Sequence, residues 1–237
     1  MTMRLPQSVN KKLMICLIGS LLGIIAMGYR HDPATMAMVF KTIQDVTKKT
    51  GASEWLKAIK GENLISGDQI KTGRQSLAIV KFLDNSIFRV REQSLLTVSG
   101  EGSRGSEVKS IELDSGAIGF SVQKQKQNDL FRLTSPTSVA SIRGTKGKWS
   151  GGGGNDTLVV VEGLVNLLNN LSKNNVDVPA GFIGFSRSDG FVSSRKATGQ
   201  ELADADNAAT SNSVNELNLE LKDSKGNKKE LKLKFNR

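Results

Sequence analysis

Four carboxylates, Asp84, Glu112, Asp114 and Glu162, fall near the ends of short apolar runs. Two such groups held about 5–10 Å apart can cleave a glycoside, one as acid and the other as base or nucleophile. Acids at turns more often cap the turn or stay solvated. A Ser or Cys nucleophile usually needs a histidine beside it. The only histidine, His31, stands next to an apolar N-terminal run, and the only cysteine, Cys16, lies inside that run. The rest of the chain therefore has neither a disulfide nor a thiolate metal site, and zinc and iron lack their usual ligands. Gly151 to Gly154 form a glycine run, but no Gly-Lys-Ser/Thr follows it, as a phosphate-binding loop requires. Lys124, Lys126, Arg132, Arg143, Lys146 and Lys148 make a basic set with few of the aromatics on which bases stack. Asn155-Asp156-Thr157 has only the form of a glycosylation acceptor. We therefore assign no catalytic, cofactor-binding or metal residue, and expect neither an enzyme nor a nucleic-acid partner.

These residues must be carried outside the cytoplasm if the first thirty are read at face value. Arg4, Lys11 and Lys12 precede an uncharged run, residues 13–29, with no acid before it. A basic end followed by about fifteen apolar residues is the pattern of a secretory signal. Ala26 and Gly28 are small at the positions that cleavage after Gly28 needs. The same cations would orient an uncleaved inner-membrane tether through residues 13–29. Ile15 stands where a lipid-attachment signal at Cys16 requires a small residue, so lipidation is not expected. Residues 1–28 are thus signal peptide or anchor, and the remainder is expected in the periplasm or elsewhere in the cell envelope.

The net charge is +10, and without the three leader cations it is 10 − 3 = +7. A moderately basic surface favours weak attraction to phosphates, anionic lipid or acidic glycans and says little about fold. Hydrophobic residues at 38% suffice for one folded core but leave part of the length polar.

From Leu64 onward the texture is that of strands. Apolar runs with period two are broken by Gly, Asp, Asn and Ser every eight to twelve residues or so. Ala78, Val80 and Phe82 alternate with their neighbours, Asp84-Asn85 supplies a turn, and 87–90 returns as a hairpin. Further strands are expected at 95–98, 109–113, 117–122, 130–133, 138–142, 157–161, 164–167 and 182–185, with Ser115-Gly116 among the breaks. Residues 36–60 fit a first strand or a short helix. Residues 199–213 offer almost no apolar side chain and read as a linker. Leu217, Leu219 and Leu221, then Leu231, Leu233 and Phe235, alternate across a turn at 223–227, which predicts a hairpin over 214–237. A lone hairpin is marginal in water, so it should join the main sheet or dock on a partner. The fold class is all-β: a compact β-solenoid or a twisted two-layer stack over 36–198, with an N-terminal signal or anchor helix and a C-terminal hairpin.

SGDQIKTGRQSLAIVKFLDNSIFRVREQSLLTV, residues 66–98, resembles the opening of the FecR domain family, in which a Gly-Asp-x-Ile-x-Thr-Gly turn precedes a strand pair. LDSGAIGFSV at 113–122, LTSPTSVASIRGT at 133–145, TLVVVEGLVNL at 157–167 and VPAGFIGF at 178–185 continue the pattern, so the resemblance runs over 66–185. Asp68, Gly67, Gly73, Arg143, Gly144 and Thr145 are read as folding residues at its turns. Asn85 stands where the family has glycine, and Gly147 where it has a bulky apolar residue.

The resemblance implies a periplasmic sensor-regulator domain. The twelve residues ahead of the apolar run are too few for the cytoplasmic sigma-regulator part, so that half of the family's mechanism is not carried over. The expectation is a non-enzymatic binding or signalling module for a protein or acidic glycan of the envelope. The alternatives are a carboxylate enzyme acting on wall polysaccharide and a structural protein that assembles through its terminal hairpin.

Overall fold

The structure is a computed structural model and describes residues 34–103, 106–125, 130–212, 216–222 and 228–234. The leader and tether reading of residues 1–29 and the basic Lys126 lie outside the described residues. No helix among the described residues is long and apolar enough to cross a membrane.

Period-two alternation becomes strands from Thr35 onward. The first nine are β1 (Thr35–Ile43), β2 (Val46–Thr50), β3 (Leu56–Lys57), β4 (Asn63–Ile65), β5 (Asp68–Thr72), β6 (Leu77–Phe82), β7 (Ile87–Val90), β8 (Leu95–Ser103) and β9 (Ser106–Ser121). Then come β10 (Leu130–Thr134), β11 (Ser138–Ile142), β12 (Lys146–Gly151), β13 (Asn155–Glu162), β14 (Leu164–Asn169), β15 (Asn175–Pro179), β16 (Phe182–Arg187) and β17 (Val192–Lys196). Helix α1 (Gly199–Thr210) follows, and β18 (Glu216–Lys222) and β19 (Lys228–Lys234) end the chain. Residues 36–60 are therefore strands and not a helix, and β12, β15 and β17 are strands that the sequence reading passes over.

Strands β1 to β17 are hydrogen-bonded into one continuous system, folded into two leaves. The first leaf runs β4-β1-β6-β7-β9-β12-β13-β16-β17. The second runs β3-β2-β5-β8-β9-β10-β11-β14-β15. This is the two-layer form of the expected fold. Every pairing is antiparallel except that of β9 with β10.

Strand β9 belongs to both leaves. Its N-terminal part pairs with β8 and β10, and Gly116 to Ser121 pair with β12, the last four of them also with β7. Where it changes leaf, Leu95 faces Ser115 but Leu96 faces Leu113, so Asp114 is the extra residue of a β-bulge. Gly116 follows at φ +98°, a backbone that favours glycine. The sequence places a break between two strands at Ser115-Gly116; the structure makes it a corner in one strand of 16 residues.

The core fills the space between the leaves. Phe82, Phe88 and Phe131 lie with ring centroids 5.4, 5.0 and 4.9 Å apart, and Trp149 of β12 is wholly buried in the same core. Burying each such side chain contributes on the order of 2–3 kcal/mol.

The outer face of the first leaf is apolar too. Val159 and Ile183, with Val161 and Phe185 partly buried, pack against Ala197, Leu202 and Ala205. Helix α1 is the cover, and it occupies the segment expected to be a linker. The reason is the size of its buried residues: Ala205, Ala208 and Ala209 keep helical spacing but carry little hydrophobicity. The helix is closed by a capping box, in which the Glu201 amide donates to Thr198 Oγ1 at 3.2 Å and the Thr198 amide to Glu201 Oε2 at 2.8 Å.

Strands β18 and β19 pair in register, Leu217 with Leu233 and Leu219 with Leu231. They form a two-stranded sheet of their own, without ladder hydrogen bonds to the leaves.

Candidate functional site

The turns singled out by the sequence are positioned by buried polar groups. Asp68 is wholly buried; its Oδ1 accepts from Thr50 Oγ1 at 2.6 Å and its Oδ2 from the Ile65 amide at 2.9 Å, with Lys48 Nζ 3.2 Å away. Asn85 takes φ +67°, which asparagine tolerates, so the turn survives without the family's glycine. Gly73 needs no left-handed backbone. A Cβ there would lie 2.7 Å from Asp45 Oδ2, so its requirement is space. Gly144 reverses the chain at φ +67°, and Thr145 exchanges backbone hydrogen bonds with Val122. Gly147 faces Phe120, whose ring fills the room a bulky side chain would take, and a Cβ there would also overlap the Val159 carbonyl. Arg143 is exposed and makes no ion pair among the described residues.

The four acids do not converge through contacts. Asp84 Oδ2 pairs with Lys109 Nζ at 2.8 Å and accepts from Gln125 Nε2 at 3.0 Å. Burial pushes the Asp84 carboxyl up, but Lys109, the Ser86 amide and Gln125 together hold it below its usual range. Asp114 sits at the β9 bulge, where burial pushes its carboxyl up. Glu162 reaches Lys146 at 3.7 Å, and Glu112 is exposed. None shares an ion-pair or hydrogen-bond partner with another among the described residues. No group of three potential metal ligands occurs among them either.

In the basic set, Lys124 lies against Gly144, next to Arg143. Lys146 Nζ pairs with Asp206 of α1 at 2.5 Å, while Arg132 and Arg143 are exposed. Two arginines that the sequence reading passes over do more. Arg89 Nη1 donates to the Ala209 carbonyl and its Nε to Asn212 Oδ1 at 3.1 Å; Arg91 Nη2 donates to the Asn207 carbonyl at 2.8 Å. They give donors to carbonyls of the last turn of α1, of which that of Asn207 also accepts from the Ser211 amide, and oppose its negative pole. Burial, then the neighbouring Arg89, lowers Arg91 to about 10. The readable signal was their place in the inward hairpin strand β7 and just after it, where cations need a partner.

At one end of the stack a cleft of about 230 Å³ opens between the β12–β13 turn and the β14–β15 turn, lined by Thr137, Gly152 to Gly154, Asn170, Leu171 and Arg187. The three glycines all have positive φ, which lets this turn fold back without side chains. Asn170 is fixed by donating to the carbonyls of Ser135 and Pro136 at 3.1 and 3.2 Å. Arg187 is held by Asp189 at 2.7 Å and lies 4.4 Å from the Phe191 ring centroid. The Phe191 amide, then Arg187, keep Asp189 below the usual carboxylate range. Leu171 is 67% and Phe191 45% exposed. Apolar and arginine anchors around a cleft are the chemistry of a protein-binding surface.

Fold and cleft define an all-β module that presents rigid turns from a two-layer scaffold. Residues 68–166 match the model of the FecR protein family, which supports a signalling or regulatory module. The match spans β5 to the start of β14 and stops short of the stretch at 178–185. No curated protein matches the chain. Two crystal structures of a candidate anti-sigma factor from Parabacteroides distasonis ATCC 8503, at 1.65 and 2.50 Å, align with TM-score 0.48 and 11% identity over 56% of this chain. The alignment spans about three fifths, 61%, of that protein's chain.

Proposed function

We propose that the chain is an exported, non-enzymatic module of a bacterial cell envelope that binds a partner protein and takes part in signalling. The observation that carries this reading is the FecR match over 68–166, joined to a cleft lined by Leu171 and by Arg187, against which the exposed Phe191 ring lies. The cleft has room for about one large side chain, which suits an anchor residue from a protein. The basic leader and apolar run support export.

The test is fractionation of the native host, with the mature N-terminus read by mass spectrometry, followed by photo-crosslinking from positions 171 and 191. A periplasmic or membrane-tethered species that crosslinks to one discrete protein supports the reading. A cytoplasmic species removes export, and crosslinks to glycan alone redirect the partner class.

A second reading is favoured by β18 and β19, which form a separate two-stranded sheet. Such a hairpin can extend a neighbour's open edge by strand addition. Removal of residues 214–237 should then abolish assembly and leave the melting of the leaves unchanged.

A further inference from the structure

The outer edge of the second leaf carries a surface that the cleft does not explain. Strand β3 is the last strand of that leaf and is only two residues long. Around it Trp55 is 36%, Leu56 67% and Ile59 68% exposed. Three large apolar side chains within five residues are held out of the core by a well-fixed turn. Ala58 between them is buried and its amide donates to the Val46 carbonyl at 2.9 Å. Glu62 Oε2 accepts from the Ile59 amide at 3.1 Å, and Lys48 ties Glu62 at 3.1 Å.

Cations frame this apolar edge. Lys49 and Lys71 each place Nζ 5.9 Å from the Trp55 ring centroid, and Lys57 and Lys60 are exposed within the same turn. None of the four makes an ion pair among the described residues. The acids nearby are Glu54, which is exposed, and Glu62 and Asp68, which share Lys48. Five cations, Lys48 included, against three acids leave 5 − 3 = +2 at the edge.

We propose that this edge docks on an anionic lipid bilayer, with Trp55, Leu56 and Ile59 entering the headgroup region and Lys49, Lys57, Lys60 and Lys71 facing lipid phosphates. Tryptophan beside lysine is the pairing that suits a membrane interface, where one end of the side chain is apolar and the other wet. Each lysine near such a surface strengthens partition about fivefold. Strand addition by a protein is poorly served here, because a two-residue edge offers few backbone groups to pair.

The test uses residues 34–237, which form a compact unit with its own core, after a cooperative thermal transition has been verified. Vesicles of phosphatidylcholine alone, or mixed equally with phosphatidylglycerol, are titrated while tryptophan emission and co-sedimentation are followed. Trp149 is fully buried and Trp55 is the other of the two tryptophans, so a blue shift on binding reports Trp55. The wild type should bind and shift only on the anionic vesicles, with binding falling at high salt. Trp55→Ala with Ile59→Ser should weaken it at least tenfold, and Gln at all four lysines should remove the preference for anionic lipid.

Both variants must keep the wild-type melting temperature to be scored. Absence of binding to the anionic vesicles, or equal binding by both variants, overturns the proposal. If a soluble acidic polysaccharide or self-association, and not the vesicles, proves sensitive to the same substitutions, the lipid assignment is likewise wrong.

Discussion

The backbone of Ala208 and Ala209 lies directly on Gly119: a Cβ at that glycine would overlap the Ala208 carbonyl oxygen and sit 2.6 Å from the Ala209 nitrogen. The helix thus reaches the first leaf at a point where β9 has no side chain. Gly119→Ala should cost about 1–3 kcal/mol by forcing the two apart. Hydrogen exchange should show the amides of 202–210 losing protection first, with those of β6 and β13 retained. Equal loss in both would mean that the helix and the leaves unfold as one.

The seat of that helix also responds to acid. Arg195, bonded through both guanidinium nitrogens at 2.9 and 2.7 Å, and the Thr198 amide hold Glu201 at about 2, below its ordinary 4.5. A depressed folded pKa contributes stability that is full above the unfolded value and lost as pH falls through the folded one. Helix protection should therefore decline between about pH 4.5 and 2. In Glu201→Gln the decline over that window should flatten, a comparison that pH-dependent exchange makes directly.

Lys109 and Asp84 form a pair with side chains 6% and 21% exposed. Lys109→Met leaves Asp84 with Gln125 and the Ser86 amide, and Asp84→Asn leaves Lys109 with Gln125 Oε1 at 3.4 Å. Each change should cost about 1–3 kcal/mol against the wild type. Because Asp84 is held low, its contribution is present above its unfolded pKa and lost in stronger acid. Urea denaturation of the two single variants and the double variant separates the pair from its surroundings.

At the β9 corner, Gly116 combines φ +98° with a neighbour, Ser94 Cα, that would lie 2.6 Å from any Cβ. Gly116→Ala should lose at least about 2 kcal/mol. Gly153→Ala, also at positive φ but with open space around it, should lose less. Thermal melts of the two variants compare strain with and without a clash.

Much of the architecture was legible because inward and outward residues alternate: Phe131 and Leu133 flank exposed Arg132, and Leu158 and Val160 point to the core. The turn chemistry of Asp68 and Asn85 was legible for the same local reason. Helix α1 was not, because alanine buries well against a flat face yet barely registers as apolar. Its start was written in Thr198 and Glu201 three residues apart, and its seat in Gly119, a signal that means something only once the leaf exists. Strand β12 was obscured by its alternating lysines and glycines, Lys146, Gly147 and Lys148, where Phe120 supplies the missing bulk. The cleft joins residues 136 to 188, a juxtaposition that the β11–β14 and β13–β16 pairings create.

Strand β9 has partners from both sides of the chain, β7 and β8 before it and β10 and β12 after it. Fully extended it spans about 50 Å. During synthesis the strands before it have no closing neighbour until residues 106–121 emerge, and those after it have no template until it is in place. Neither half of the gene therefore encodes a half-domain. A break in the backbone at the Asp114 corner would leave two leaves with no shared strand, held together only by side chains and by the loops that pass between them.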